Sequence, residues 1–353
     1  MIVCAVVLSV LTACGGSSEE DAAADDSETL AVEASTTSSK PTTTRPPSTM
    51  APPTTEAVEP VPVAPLTGLP LDGEIKLSRP AFAVKIDNHQ LARPQIALDA
   101  ADLVFDLRAE GVTRFMAVFH SQVPDTVGPV RSSRTSDFDL LRGLDHPVYA
   151  SSGGNPTVMG GVAGIPVHAL TNQTRTEYFR QPGRPAPHNL VVHPQDLLAL
   201  VPAETPEPKP WFAYRAAGDE LSDLAEAVEE TVTIDFTNTP TVTFDWDGGA
   251  EGWLRSQDGA AHVTDAGDRV APANVVIMVT TYGQSAADAT SPEVHSTGTG
   301  ELIVLTAGHK VAGTWSRPSA TDKPQLLDGN GTEISLTPGQ TWVLYPEAGQ
   351  VSF

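Results

Sequence analysis

Between residues 87 and 189 the chain gathers side chains able to hold an anion and act on it. Asp87, Asn88 and His89 follow an apolar stretch, with Arg93 and Gln95 close behind. Glu110 and Arg114 flank Gly111, and the run Gly128-Pro129-Val130-Arg131-Ser132-Ser133-Arg134 carries two more guanidiniums. Ser152-Gly153-Gly154-Asn155 and His188-Asn189 complete the set. A guanidinium engages two oxygens of a phosphate or carboxylate at once, so Arg93, Arg114, Arg131 and Arg134 are candidate anion ligands. Asp87 and Glu110 are candidates for a general acid/base pair, and His188, oriented by Asn189, for a base. Asn88, Gln95 and Asn189 would add neutral hydrogen bonds, and Gly153 and Gly154 would let a ligand approach the backbone. Each has a plainer reading. The arginines could pin a loop against Asp137, Asp139 or Glu110, the carboxylates could cap loops, and the glycines could make a tight turn.

Hydrophobic patterning places these groups. Residues 81–86, 103–108 and 113–119 read as strands, with Gly111 turning between the last two. Residues 136–144 read as a helix, because Phe138, Leu141 and Leu144 recur at spacing three and Ser136 with Asp139 fits a capping box. A strand at 147–151, a helix at 156–162 and a short helix at 194–200 follow. The polar groups then fall at strand ends and helix starts, where α/β sheets build their sites. Strands alternating with helices predict a mixed α/β first domain over residues 65–203. A proline-rich break at 202–210 separates it from a mostly β second domain, 204–353. That domain holds one helix at 220–230 and strands at 231–236, 241–246, 275–281, 302–306, 311–315 and 341–345. Trp246, Trp253, Trp315 and Trp342 in these strands read as core, or alternatively as a sugar-binding platform.

Several chemistries are missing. There is no HExxH, CxxC, Walker A, GxGxxG or GxSxG motif, and the histidines do not cluster at metal spacing, so we expect neither metal nor cofactor. The net charge is −23. Residues 15–60 hold nine acids and two bases, which is −7 and leaves about −16 for the body. Such a surface repels phosphate backbones, so nucleic-acid binding is not expected. An anion would need a local arginine cluster.

The two cysteines are Cys4 and Cys14. Residues 2–11 form an apolar run of signal-peptide length, and Leu11-Thr12-Ala13-Cys14 fits a lipobox, with small residues before the thiol that takes the lipid. No Lys or Arg precedes the run, so we expect the natural start to lie upstream. Residues 15–64, acidic and then rich in Thr, Ser and Pro, read as a disordered spacer. These features predict residues 1–14 as leader, Cys14 as the lipidation site, and a body held at the outer face of the cell membrane.

The segments RPAFAVKIDNHQLARPQ, AADLVFDLRAEGVTRFMAVF, GPVRSSR and PHNL, in this order, resemble the YerB-like bacterial lipoprotein family. The second half, from Phe244-Asp245-Trp246 through Asn274-Val275-Val276 to GQTWVLYP, resembles that family's C-terminal domain, with Asp258-Gly259 and His262 in place of a tidier Asn-Gly and His pattern. The resemblance implies a lipoprotein with an α/β first domain and a β-rich second one, and it brings no activity with it. The order strand, turn, strand, arginine-rich loop, helix over 103–134, followed by SSGG and GIPVH, is similar to LytR-CpsA-Psr phosphotransferases. Those enzymes place arginines around a polyprenyl pyrophosphate, but no catalytic signature of theirs is intact here. Three functions remain open: binding of an anionic cell-wall or lipid-linked ligand, an envelope phosphotransferase or hydrolase acting on that ligand, and a scaffold for other envelope proteins.

Overall fold

A computed structural model of the chain describes residues 61–71 and 77–353. The leader, Cys14 and the spacer up to residue 60 lie outside the described residues. The first half contains β1 (Phe82–Asp87), β2 (Leu103–Arg108), β3 (Thr113–Phe119), β4 (Val148–Ala150), β5 (His168–Ala169), β6 (Tyr178–Arg180) and β7 (Leu190–Val192). Its helices are α1 (Asp137–Arg142), α2 (Pro156–Ala163) and α3 (Pro194–Leu198). The second half is almost entirely β. It runs through β8 (Glu226–Ala227), β9 (Val232–Ile234), β10 (Val242–Asp247), β11 (Gly252–Gln257), β12 (Ala260–Ala261), β13 (Asn274–Met278), β14 (Tyr282–Gln284) and β15 (Pro292–Val294). It ends with β16 (Gly298–Thr306), β17 (His309–Arg317), β18 (Gln325–Asp328), β19 (Thr341–Leu344) and β20 (Val351–Ser352). The chain is thus mixed α/β first and β-rich second, as the patterning predicts.

One sheet passes through both halves. Its order is β18-β17-β16-β13-β19-β2-β3-β1-β4-β5, with β8 attached to β17. The seam is β19 against β2, parallel, with Thr341 opposite Leu103 and Leu344 opposite Asp106. Side chains alternate across a strand, so each face of the sheet builds its own core. On one face Phe82, Val84, Phe115, Ile277 and Trp342 pack against Val232, Phe244 and Trp253 of the smaller sheet β12-β11-β10-β9-β20. On the other, Ala83, Phe105, Met116 and Val343 pack against Leu140, Leu141 and Val162 of the helices and against Trp211 and Trp315. Burial on both faces explains the near-continuous apolar runs at 81–86 and 113–119. Trp253, Trp315 and Trp342 are fully buried and Trp246 packs against Trp253, which makes them core rather than a platform. The proline-rich stretch leads straight into buried Trp211, so the core is continuous across it.

Two local expectations fail for physical reasons. Residues 220–230 are not helical; they run irregularly into β8, which pairs with β17. Glu220, Asp223, Glu226 and Glu229 stand three apart with no intervening base, and like charges at that spacing oppose a helix. Ser136 does precede α1, but its hydroxyl makes no cap bond. It accepts the Val294 N–H at 3.1 Å and faces the Pro292 carbonyl instead. No described helix is long and apolar enough to cross a membrane.

Candidate functional site

The site begins with strand register. β1 and β3 are antiparallel, and Asp87 at the end of β1 lies opposite Arg114. Residues 129–131 run along the same end: the Asp87 N–H donates to the Pro129 carbonyl and the Arg131 N–H to that of Lys85, both at 2.8 Å. This brings the Arg131 Nε to 3.5 Å from Asp87 Oδ2. The same oxygen takes a 2.8 Å hydrogen bond from His188 Nδ1, and Oδ1 accepts the His89 N–H at 3.0 Å. A carboxylate only accepts, so Nδ1 carries the hydrogen and Nε2 of His188 is left for another partner. The His89 ring stacks on His188, with centroids 4.3 Å apart. His188 is therefore oriented by Asp87 and not by Asn189. Asn189 accepts from Arg180 at 2.8 Å and donates to the carbonyls of Gln181 and Arg184, tying its own loop.

Glu110 organises the other end. Arg134 holds it with two bonds, Nε to Oε1 at 2.6 Å and Nη2 to Oε2 at 2.9 Å. Arg114 adds a third at 3.0 Å, and the Ser291 hydroxyl donates to Oε1. Partial burial acts to raise its pKa, yet the bonds from Arg134 and Ser291 and the charges of both arginines hold it at about 2. Such a carboxylate is a fixed counter-ion, so the expected acid/base pairing of Glu110 with Asp87 gives way to an Asp87–His188 pair. Burial and neighbouring Arg134 bring the Arg114 guanidinium down to about 10, despite Glu110. The arginine loop is pinned from beneath: Asp137 Oδ2 accepts the Arg134 N–H at 2.8 Å and the Tyr149 hydroxyl at 3.0 Å. The ion-pair partner of Asp137 is Lys85, both groups being buried, and not an arginine.

The remaining candidates hold the fold together. Arg93 donates to the Asn88 carbonyl through Nε and Nη2 and meets Asp258 at 3.3 Å. Asn88 donates to Thr113 and Gln257. Gln95 donates to the Asp87 carbonyl and to Asn88 Oδ1, and accepts from His262 Nε2 at 2.9 Å. His262 in turn accepts from Arg255, which makes a fully buried ion pair with Asp106 at 3.0 Å. Arg93, Asn88 and Gln95 thus belong to the seam between the halves. Gly153 has φ +95°, and a Cβ there would sit 2.2 Å from Gln173, so the turn itself requires glycine.

Residues 66–207 match the family described as protein of unknown function (DUF3048), N-terminal domain, and residues 232–343 match its C-terminal domain. The chain is 30% identical over 294 residues to "Putative lipoprotein YerB" of Bacillus subtilis (strain 168), covering 79% of this chain and 85% of that protein. The chain belongs to the DUF3048 family. The crystal structure of YerB protein from Bacillus subtilis matches with a TM-score of 0.70 at 26% identity, over 82% of this chain and 98% of that chain. The DUF3048 architecture of two sequence-level parts is therefore seen here as two parts sharing one sheet.

Within this DUF3048 chain, sequence reasoning missed the second half's share of the site. The β14–β15 hairpin lies over the arginine loop: the Thr135 hydroxyl donates to Ser285 at 2.9 Å and Asn155 Nδ2 to the Ala287 carbonyl at 3.1 Å. Together with Ser132, Ser152 and Arg134 it encloses a cavity of about 260 Å³. The polar turn 285–291 carries no motif, and only the fold brings it within reach of residue 134.

Proposed function

We propose that the chain is a lipid-anchored protein of the cell envelope that binds an anionic, phosphate-bearing or cell-wall-derived ligand at the ends of β1 and β4. The anchor is Cys14, and the body stands at the outer face of the membrane. Arg131 carries the reading. Among Arg93, Arg114, Arg131 and Arg134 it alone makes no side-chain hydrogen bond shorter than 3.5 Å to the described residues; its guanidinium stands 3.5 Å from the Asp87 carboxylate, and its side chain is 24% exposed. Charge-assisted hydrogen bonds run at about 2.7–2.9 Å, so this guanidinium keeps its donors for a ligand. Arg114 and Arg134 share the one carboxylate of Glu110 and hold the loop in place. Calorimetric titration with inorganic pyrophosphate tests the idea. Arg131→Ala should weaken binding by about 1–3 kcal/mol, the scale of a lost charge-assisted contact. Unchanged affinity in that variant, or no binding by the wild type, would overturn it.

One observation favours a second reading. Asp87 and His188 form an oriented carboxylate–imidazole pair beside the same arginine, an arrangement suited to a general base in ester or phosphoester cleavage. Under that reading His188→Ala abolishes turnover of a phosphoester probe while pyrophosphate still binds. Absence of turnover in the wild type leaves binding alone.

A further inference from the structure

We infer that the cavity beside Arg134 takes one sugar ring, so that the ligand is a sugar phosphate read by both halves of the chain; this rests on the anion-binding reading above. The cavity, about 260 Å³, lies below the roughly 300–1,000 Å³ of pockets for drug-sized ligands. That leaves room for a single pyranose and not for an oligosaccharide. Its lining is polar apart from Val158.

The hydrogen-bonding capacity decides what fits. Ser132 and Ser152 spend one hydrogen bond on each other, Oγ to Oγ at 3.0 Å. Each hydroxyl has one donor and two acceptor sites, so the pair retains a donor and several acceptors. Asp288 takes the Thr290 N–H at 2.9 Å and its hydroxyl at 2.8 Å on Oδ1, leaving Oδ2. Gln173 donates Nε2 to the Gly154 carbonyl at 3.1 Å and keeps Oε1. A wall rich in free acceptors, with one hydroxyl donor among them, matches a polyol, whose hydroxyls donate to it and accept in return. It does not match a bare phosphate, which Asp288 would repel. The phosphate therefore belongs on the Arg131 side, one residue from Ser132. Asp288 comes from the β14–β15 hairpin, so the second half supplies the sugar-reading carboxylate.

The test is calorimetry on the full chain with inorganic phosphate, free glucose, and the 1-phosphates of glucose, galactose and N-acetylglucosamine. At least one hexose 1-phosphate should bind about tenfold tighter than inorganic phosphate, or about 1.4 kcal/mol. Ser152→Leu, which fills the cavity, and Asp288→Asn should both erase that preference, and Ser152→Leu should leave inorganic phosphate affinity unchanged, with circular dichroism confirming the fold. If all three hexose phosphates bind no tighter than phosphate, the sugar pocket is overturned and the anion site stands. If free glucose binds as tightly as the hexose phosphates and phosphate does not bind, the pocket stands and the anion reading falls. If no probe binds, both fall.

Discussion

Arg131 and Arg134 stand three positions apart in one loop, yet their surroundings give them opposite roles. Arg134 is fastened to Glu110 by two short bonds, and removing it leaves a half-buried carboxylate short of its main partner. Arg134→Ala should therefore lower the melting temperature by several degrees, through loss of about 1–3 kcal/mol. Arg131→Ala should leave it nearly unchanged, within about 0.5 kcal/mol, because its one ion pair is long and Asp87 keeps the closer His188. Equal destabilisation of the two would remove the distinction. His120 gives a pH test. Its Nε2 lies 3.1 Å from the carbonyls of Leu77 and Arg79, while its buried Nδ1 has no hydrogen-bond partner among the described residues. Burial pushes its pKa down to about 4, with the charge of Arg79 acting the same way and the carbonyl bonds opposing. The folded state then binds fewer protons than the unfolded state between pH 6.5 and about 4. This contribution is complete above pH 6.5 and is lost as pH falls through that window, by about 3 kcal/mol. Neighbouring Asp102, raised by burial to about 6, acts in the opposite sense, losing stability as pH rises from 3.8 to 6. Comparison with His120→Asn across pH 4–7 isolates the histidine, and a pH-independent difference between the two proteins would contradict its neutral burial. The residue types of the site were legible in the sequence. Their partners were not, because Asp87–His188 spans 101 positions and Ser291–Glu110 spans 181.

At the scale of elements, pattern served best where burial is simplest. The strands read at 81–86, 103–108 and 113–119 and the helix after Ser136 follow from apolar runs and spacing with the turn at Gly111, and the helix after Asn155 is also expected. The segment 220–230 misled because its leucines and alanines suggest a helix while its uncompensated acids oppose one. What it forms depends on a free edge of β17 that no local pattern announces. The packing of β16 and β17, the longest pairing among the described residues, against their other neighbours depends on glycines. At Gly313 an added Cβ would lie 1.9 Å from the Leu327 carbonyl on β18, and at Gly300 it would lie 2.3 Å from that of Val279. Backbone cannot yield as a side chain does, so Gly313→Ala should cost at least the roughly 1–3 kcal/mol of an overpacked core. Urea denaturation measures this, and a variant as stable as wild type would mean that β17 and β18 do not pair closely.

For the whole molecule the decisive feature is β19. It comes from the last fifteen residues and lies between β13 and β2, joining strands of both halves. A chain ending at residue 338 should lose the seam, expose both neighbouring strand edges and fail to fold. The body should unfold in one cooperative step, and two separate transitions, or a stable soluble fragment of residues 65–203, would contradict a shared core. The proposed lipid anchor predicts that Cys14→Ser moves the body from the detergent phase to the aqueous phase. Unchanged partitioning would place the anchor elsewhere. The central claim, an anion site on Arg131, is tested most directly by nitrogen-15 NMR of the arginine Nε–H groups during titration with inorganic pyrophosphate. The Arg131 resonance should shift in a saturable way while those of Arg93 and Arg114 stay in place. A titration that leaves Arg131 unmoved, or that shifts all the arginines weakly and without saturation, would contradict the account.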